Sequence, residues 1–275
     1  MTTDTPPGKT LEIPRSDGAR TDEVFWDAQW NQRAASSLSN RLLHGRDFER
    51  DGHFLRLLER HVGLVNFRDA RVVELGGASS RFLVALARHA GSHVTAVDYS
   101  PVGVSQTEQL FAAEQIEGRA LLGDIFSWDG NGERFDVVLH FGLLEHFDNP
   151  TDVLAASAQV LRPGGLLVFT MPNLDAIGAR IWAHTAPDNF SKHVYHSDRT
   201  IKSTCTESGL QLVKIFHAGP PLVRMAPPER GGLASTAANA VHAVLCMLGT
   251  AAPWLYTGGH ARLSNTRGFV ARKSG

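Results

Sequence analysis

Short runs of uninterrupted apolar residues alternate along this chain with stretches in which apolar positions return every three or four residues. The runs at Val72–Leu75, His93–Val97, Ala120–Leu122, Phe135–His140 and Leu166–Thr170 are rich in β-branched residues and carry almost no internal charge, as expected of parallel strands covered on both faces. Between them the pattern predicts helices. Asp47–Val62 places Phe54, Leu57, Leu58 and Val62 on one face; Phe82–Ala90 is closed by Gly91; Pro101–Gln115 starts behind the N-cap candidate Ser100 and is ended by Gly118; Pro150–Leu161 runs into a turn at Arg162–Gly165. Ahead of the first strand, Thr21–Leu43 reads as one or two helices with Trp26 and Trp30 one turn apart. Five repeats of strand and helix indicate an α/β fold, doubly wound around a mostly parallel sheet.

The first strand ends in Glu74 and runs into Gly76, Gly77, Ala78, Ser79 and Ser80, small residues that let the backbone turn sharply and a ligand approach the next helix. An acid ahead of the glycines suits a cationic or hydroxyl-rich ligand better than a pyrophosphate. Asp98 ends the second strand at the spacing from Gly76 where a carboxylate accepts both ribose hydroxyls, and Asp124 with Ile125 follows the third strand, where an adenine edge meets an acid and an apolar side chain. Taken singly, each fits a ligand-free turn as well.

The blocks Val72-Val-Glu-Leu-Gly-Gly77, Val97-Asp-Tyr-Ser100, Gly123-Asp124, Phe135-Asp-Val-Val138 with Gly142-Leu-Leu-Glu-His146, and Val160-Leu-Arg-Pro-Gly-Gly-Leu-Leu-Val168 stand in an order that resembles class I S-adenosylmethionine-dependent methyltransferases, in particular the small-molecule group that includes ubiquinone-biosynthesis enzymes. The resemblance covers Arg71 to Phe216. It implies S-adenosyl-L-methionine as cofactor and a seven-stranded Rossmann-like sheet, with Gly209–Phe216 and Thr266–Arg272 as a closing antiparallel pair. It further implies that Gly76 and its neighbours approach the methionine part, Asp98 holds the ribose, Tyr99 packs on adenine, Asp124 and Ile125 contact its edge and face, His140 and Phe141 line the pocket, and Glu74 supports the turn and the sulfonium end. Ala78 and Ser80 occupy places where the family has its second and third glycines, and a positive φ would cost them more than glycine.

If the acceptor is a hydroxyl, a phenol or a protonated amine, an imidazole is the natural proton acceptor, and His146 after the fourth strand is the first candidate. The connection from Pro172 to His196 is long enough to be an insert over the acceptor side, and it carries Trp182, His193, Tyr195 and His196 among its aromatic and imidazole side chains. His193 and His196 also flank Ser197, the N-cap of a helix ending near Gly209, so a purely structural role stays open for both. Trp26 and Trp30 read either as lid aromatics over a ligand or as packing against the core. No spacing in the insert argues for a metal.

The expected organisation is a flexible tail at 1–20 and a single domain over 21–275: a helical lid at 21–62, a cofactor-binding core at 71–171, an acceptor-side insert at 172–196 and an apolar insert at 232–256 before the last strand. That last segment is interrupted by polar residues too often to be an integral membrane span, and suits a cover over the pocket or a homodimer contact. A net charge of −1 with 20% charged residues and no basic run speaks against a nucleic-acid partner and for a small organic acceptor. Cys205 and Cys246 form no cluster and the first residues hold no apolar run, which sets a cytoplasmic location as the expectation. The leading functional reading is methyl transfer to O or N of a small molecule in specialised metabolism. Alternatives are different chemistry with the same cofactor, a non-catalytic cofactor-binding regulator or partner subunit, and, fitting least well, a nicotinamide oxidoreductase.

Overall fold

The computed structural model describes residues 19–35, 51–221 and 259–275, with isolated positions between 233 and 248. Seven strands, β1 (Arg71–Leu75), β2 (His93–Asp98), β3 (Gly118–Leu122), β4 (Phe135–Phe141), β5 (Leu161–Pro172), β6 (Leu210–Pro221) and β7 (Ser264–Lys273), form one sheet in the order β3-β2-β1-β4-β5-β7-β6. The first five are parallel, and β7 inserts antiparallel between β5 and β6, with Phe169 opposite Phe269. The strand order reverses between β1 and β4, which opens a crevice beyond the carboxyl ends of these strands.

Each face of the sheet is covered. The alternation along β1 sends Val72 to a layer built with Phe54 and Leu58 of α2 (Asp51–His61), Leu83 and Leu86 of α3 (Arg81–Ala90) and Phe111 of α4 (Pro101–Ala113). It sends Val73 and Leu75 to the opposite layer, with Val153 and Leu154 of α5 (Pro150–Val160) and Ile201 and Cys205 of α8 (Asp198–Glu207). Helix α1 (Glu23–Ala35) lies against α4, and the connection after β5 holds α6 (Ile177–Thr185) and α7 (Pro187–Phe190). Ser80, Ser100, Asn149 and Ser197 each cap a helix with a side-chain oxygen, the role the sequence suggested for Ser100 and Ser197.

Two boundaries differ from the sequence reading. Gly118 opens β3 instead of ending α4: the helix stops at Ala113, Gln115 takes the left-handed conformation (φ 54°), and a Cβ on Gly118 would stand 2.7 Å from the Phe111 ring. Arg162–Gly165 belongs to β5, whose register shifts opposite Phe135 and Val137 while Gly164 absorbs the irregularity at φ 73°. The expected tail up to residue 18, the lid between 36 and 50, and most of the 232–256 segment, including Cys246, lie outside the described residues. Within that segment Leu233, Val241, Val244 and Leu248 are exposed, and no helix among the described residues is long and apolar enough to cross a membrane.

Gly268 lies in β7 between Thr170 and Phe216, and a Cβ there would come within 2.1 Å of the Phe216 ring. Gly268→Ala is therefore expected to lower stability by about 1–3 kcal/mol through overpacking, measured by chemical denaturation.

Candidate functional site

Glu74 ends β1 on the sheet face that it shares with Ala96 and Asp98 of β2, so the two carboxylates stand side by side at the mouth of the crevice. Both are nearly inaccessible, at 4% and 5% exposure. Burial pushes Glu74 up to about 8, against the hydrogen bond it receives from the Ser80 hydroxyl and with help from the Asp98 charge. Burial likewise raises Asp98 to about 6, although the backbone N–H groups of Ala78 (3.1 Å) and Ser100 (2.9 Å) donate to its oxygens. Two acids kept out of water with few counter-charges form a binding place for a cation that also offers hydroxyls.

The turn between them is tight. Gly76 adopts φ 66°, and a Cβ on Gly77 would lie 2.8 Å from the Glu74 carbonyl. The departures at Ala78 and Ser80 bring no backbone strain, because the other positive φ falls on Ser79 (55°) while Ser80 is extended at −71° and caps α3. Ser79 is anchored there by its N–H donating to Thr107 Oγ1 at 2.7 Å. The residues present thus fit the methionine and ribose parts of an adenosylated sulfonium. Tyr99 follows Asp98 half-buried, Asp124 accepts from the Phe126 N–H at 3.0 Å with its acidity weakened by burial, and Ile125 is buried in the adjacent layer.

The two residues after Leu139 point apart. Phe141 packs edge-on against Phe82 and Phe54 on the α2–α3 side. His140 is wholly buried, stacks on Phe169 at 4.8 Å, and has no hydrogen-bond partner for either ring nitrogen among the described residues. Packing in a layer, not a polar contact in an open pocket, is what the structure gives His140.

Beyond β4 the chain makes a 3₁₀ turn, Leu144–His146, that brings acceptor-side candidates together. His146 is buried and held down to about 3 by desolvation, with the neighbouring His193 adding to the effect. Its ring lies 4.7 Å from that of His193, whose other side meets the edge of Trp182 at 4.6 Å. Each imidazole directs Nδ1 to a backbone carbonyl, His146 to Lys192 (3.3 Å) and His193 to Asn189 (2.9 Å), which leaves both Nε2 atoms as the free acceptors of neutral rings. His196 directs Nε2 to the Phe147 carbonyl at 3.1 Å, and Tyr195 is half-exposed with its hydroxyl on Asp175.

The sequence reading missed Glu145. It is 3% exposed, is pushed up to about 8 by burial, and has one carboxyl oxygen without a hydrogen-bond partner among the described residues. Glu145, His146 and His193 offer ligand atoms all within 4.8 Å of one another, a grouping that could take a proton or a divalent cation. The Leu-Glu-His run was visible in the sequence, but the distance to His193 was not.

Helix α1 joins both halves of the site. Trp26 and Trp30 stack at 6.0 Å, but they serve different neighbours: Trp26 meets the His146 ring edge-on at 5.3 Å, whereas the Trp30 indole borders Gly103, beside Ala78. Asp27 accepts from the Ser100 hydroxyl next to Asp98, and Arg20 ties the start of the helix to Asp148 and to the Ser191 carbonyl.

A family model described as a methyltransferase domain matches residues 46–215. A ubiquinone biosynthesis O-methyltransferase of Pseudomonas putida is 30% identical over 189 residues, covering 62% of this chain and 80% of that protein. Its counterpart in Aromatoleum aromaticum is 31% identical over 118 residues, 42% of this chain, and the match spans about half (48%) of that relative's length. The magnesium protoporphyrin IX methyltransferase of Synechocystis, solved with bound S-adenosylhomocysteine, shares the fold with a TM-score of 0.57 at 12% identity, over 90% of this chain and 94% of that one. The chain belongs to the methyltransferase domain family, whose model spans residues 46–215.

Proposed function

We propose that this protein methylates an oxygen of a small hydroxylated acceptor, with the imidazole pair His146 and His193 receiving the proton that the acceptor loses. The observation that carries this reading is the pair itself: a buried and a half-buried neutral ring, each with Nδ1 committed to a carbonyl, beside the crevice that holds Glu74 and Asp98. The named activity of the Pseudomonas relative, O-methylation, supports oxygen as the acceptor atom.

Asp98 would accept the ribose hydroxyls, Glu74 and the Gly76–Gly77 turn would hold the methionine end, and Tyr99, Asp124 and Ile125 would line the adenine side. Trp26 roofs the acceptor side and Trp30 the cofactor side; Trp182 and Tyr195 shape the wall behind His193. His196, fixed on Phe147, works as a fastening and not as a base. When bound, S-adenosylmethionine supplies an electrophilic methyl on a sulfonium that leaves as a neutral thioether, so a proton gained by an imidazole replaces the charge the crevice loses. That balance lets a desolvated histidine of low basicity act as acceptor without a net change of charge in a water-poor site.

Asp98→Asn is expected to weaken cofactor binding about tenfold or more, read by calorimetry. The same substitution should leave the unliganded protein at pH 7 as stable as before or more so. The sign follows from the raised acidity constant: the folded state prefers the protonated acid, so its contribution is full below the ordinary aspartate value and is lost as pH rises through about 6. For the same reason the cofactor KM should rise as pH falls below about 6. In contrast, kcat at saturating cofactor should stay flat from pH 8 to pH 5, because His146 remains neutral throughout.

His146→Gln should lower kcat by about 10²–10⁴ with cofactor affinity unchanged, in an assay with catechol and related phenols as acceptors. An unchanged kcat would remove the base from the reaction. Dialysis against EDTA is expected to leave the rate intact; a loss restored by a divalent cation would transfer the deprotonating role to a metal on Glu145, His146 and His193.

A further inference from the structure

Arg267 lies in β7 opposite Met171, near the carboxyl end of β5, and is 3% exposed. A guanidinium is expensive to bury, and an apolar side chain of similar volume would serve packing as well or better. What the guanidinium adds is direction, and its partners show where it points. Nη1 donates to Asp198 at 3.0 Å and stands 3.9 Å from Asp175; Nη2 donates to the His196 carbonyl and reaches Met171 Sδ at 3.2 Å; the group lies over the Tyr195 ring at 5.5 Å. Apart from Met171, these partners belong to the connection after β5 and to the first residue of α8.

The same connection is stitched to the turn after β4 on its other side. The Val194 N–H donates to the Glu145 carbonyl at 2.7 Å, His196 bonds the Phe147 carbonyl, and His146 bonds the Lys192 carbonyl. Residues 192–196 are therefore held between β7 and the β4 turn.

We propose that Arg267 is a positioning residue of the acceptor site: by gripping the His196 carbonyl and Asp198 it sets residues 192–196 against the β4 turn and so fixes His193 on His146. This rests on the reading of those imidazoles as the acceptor side. It adds that the geometry of the pair is controlled from a strand that contributes nothing to the pair itself. Conservative replacement should retain part of the effect, since a lysine can keep one or two of the bonds but not the planar fork.

The test uses the full chain as Arg267→Gln, Arg267→Lys and Asp198→Asn, the last at a half-exposed position. Hydrogen–deuterium exchange is followed by mass spectrometry, the histidine ring protons by NMR, and cofactor-site integrity by titration with S-adenosylhomocysteine. Arg267→Gln should speed exchange in peptides covering 187–198 about tenfold while peptides covering β1 and β2 keep their rates. The His193 ring signal should lose its ring-current shift from Trp182 and His146, with S-adenosylhomocysteine affinity within about twofold of wild type. Arg267→Lys and Asp198→Asn should fall between wild type and Arg267→Gln. Faster exchange across the whole sheet, or an unchanged His193 signal in Arg267→Gln, overturns the proposal. None of these readouts needs an acceptor, so failure of the methyl-transfer reading, seen as an unchanged kcat in His146→Gln, is a separate result.

Discussion

Glu74 and Asp98 end neighbouring parallel strands on one face of the sheet, almost wholly out of water. Buried acids with so few counter-charges favour their neutral forms and weaken the unliganded fold, a cost the two apolar layers offset. Much of the local architecture follows from keeping that arrangement in place. Ser80 spends its hydroxyl on both Glu74 and the first turn of α3, Ser100 links Asp98, α4 and Asp27, and the Ala78 N–H is turned onto Asp98. A cationic ligand bound between these acids would relieve them, which would couple binding to the crevice's own chemistry.

The second half of the site is assembled from parts that are distant in sequence. Helix α1 comes from the amino-terminal region, the Glu145–His146 turn follows β4, His193 arrives from the connection after β5, and Arg267 reaches in from β7. Helix α1 touches both halves, with Trp30 beside Gly103 and Ala78, and Trp26 on His146. Helix α1 thus bridges the Asp98 end of the crevice and the imidazole pair.

The division between positions read from the chain and positions known only after folding has a physical basis. The strands and the caps at Ser100 and Ser197 were legible because each rests on local rules: β-branched runs at Val72–Val73 and Val137–Val138, serine before a helix. The placement of Glu74, the glycine turn and Asp98 was legible for the same reason, since all three are set by one βαβ unit. Where locality fails, so did the reading. Gly118 looked like a helix terminator, but its lack of a side chain serves the Phe111 ring across the layer; Arg162–Gly165 looked like a turn, but pairing with β4 extends it. Ala78 and Ser80 looked like costly substitutions for glycine, but the left-handed residue is Ser79.

The amino-acid sequence by itself determined the doubly wound sheet, the crevice at its strand-order reversal and the acids that line it, because hydrophobic period, capping and turn chemistry act over a few residues. Tertiary structure alone decided that His146 meets His193, that Glu145 faces them, that the two tryptophans of one helix part company, and that Arg267 governs residues 192–196. Those contacts join residues 47 to 120 positions apart, and only the closed sheet, with its two layers already packed, brings them together.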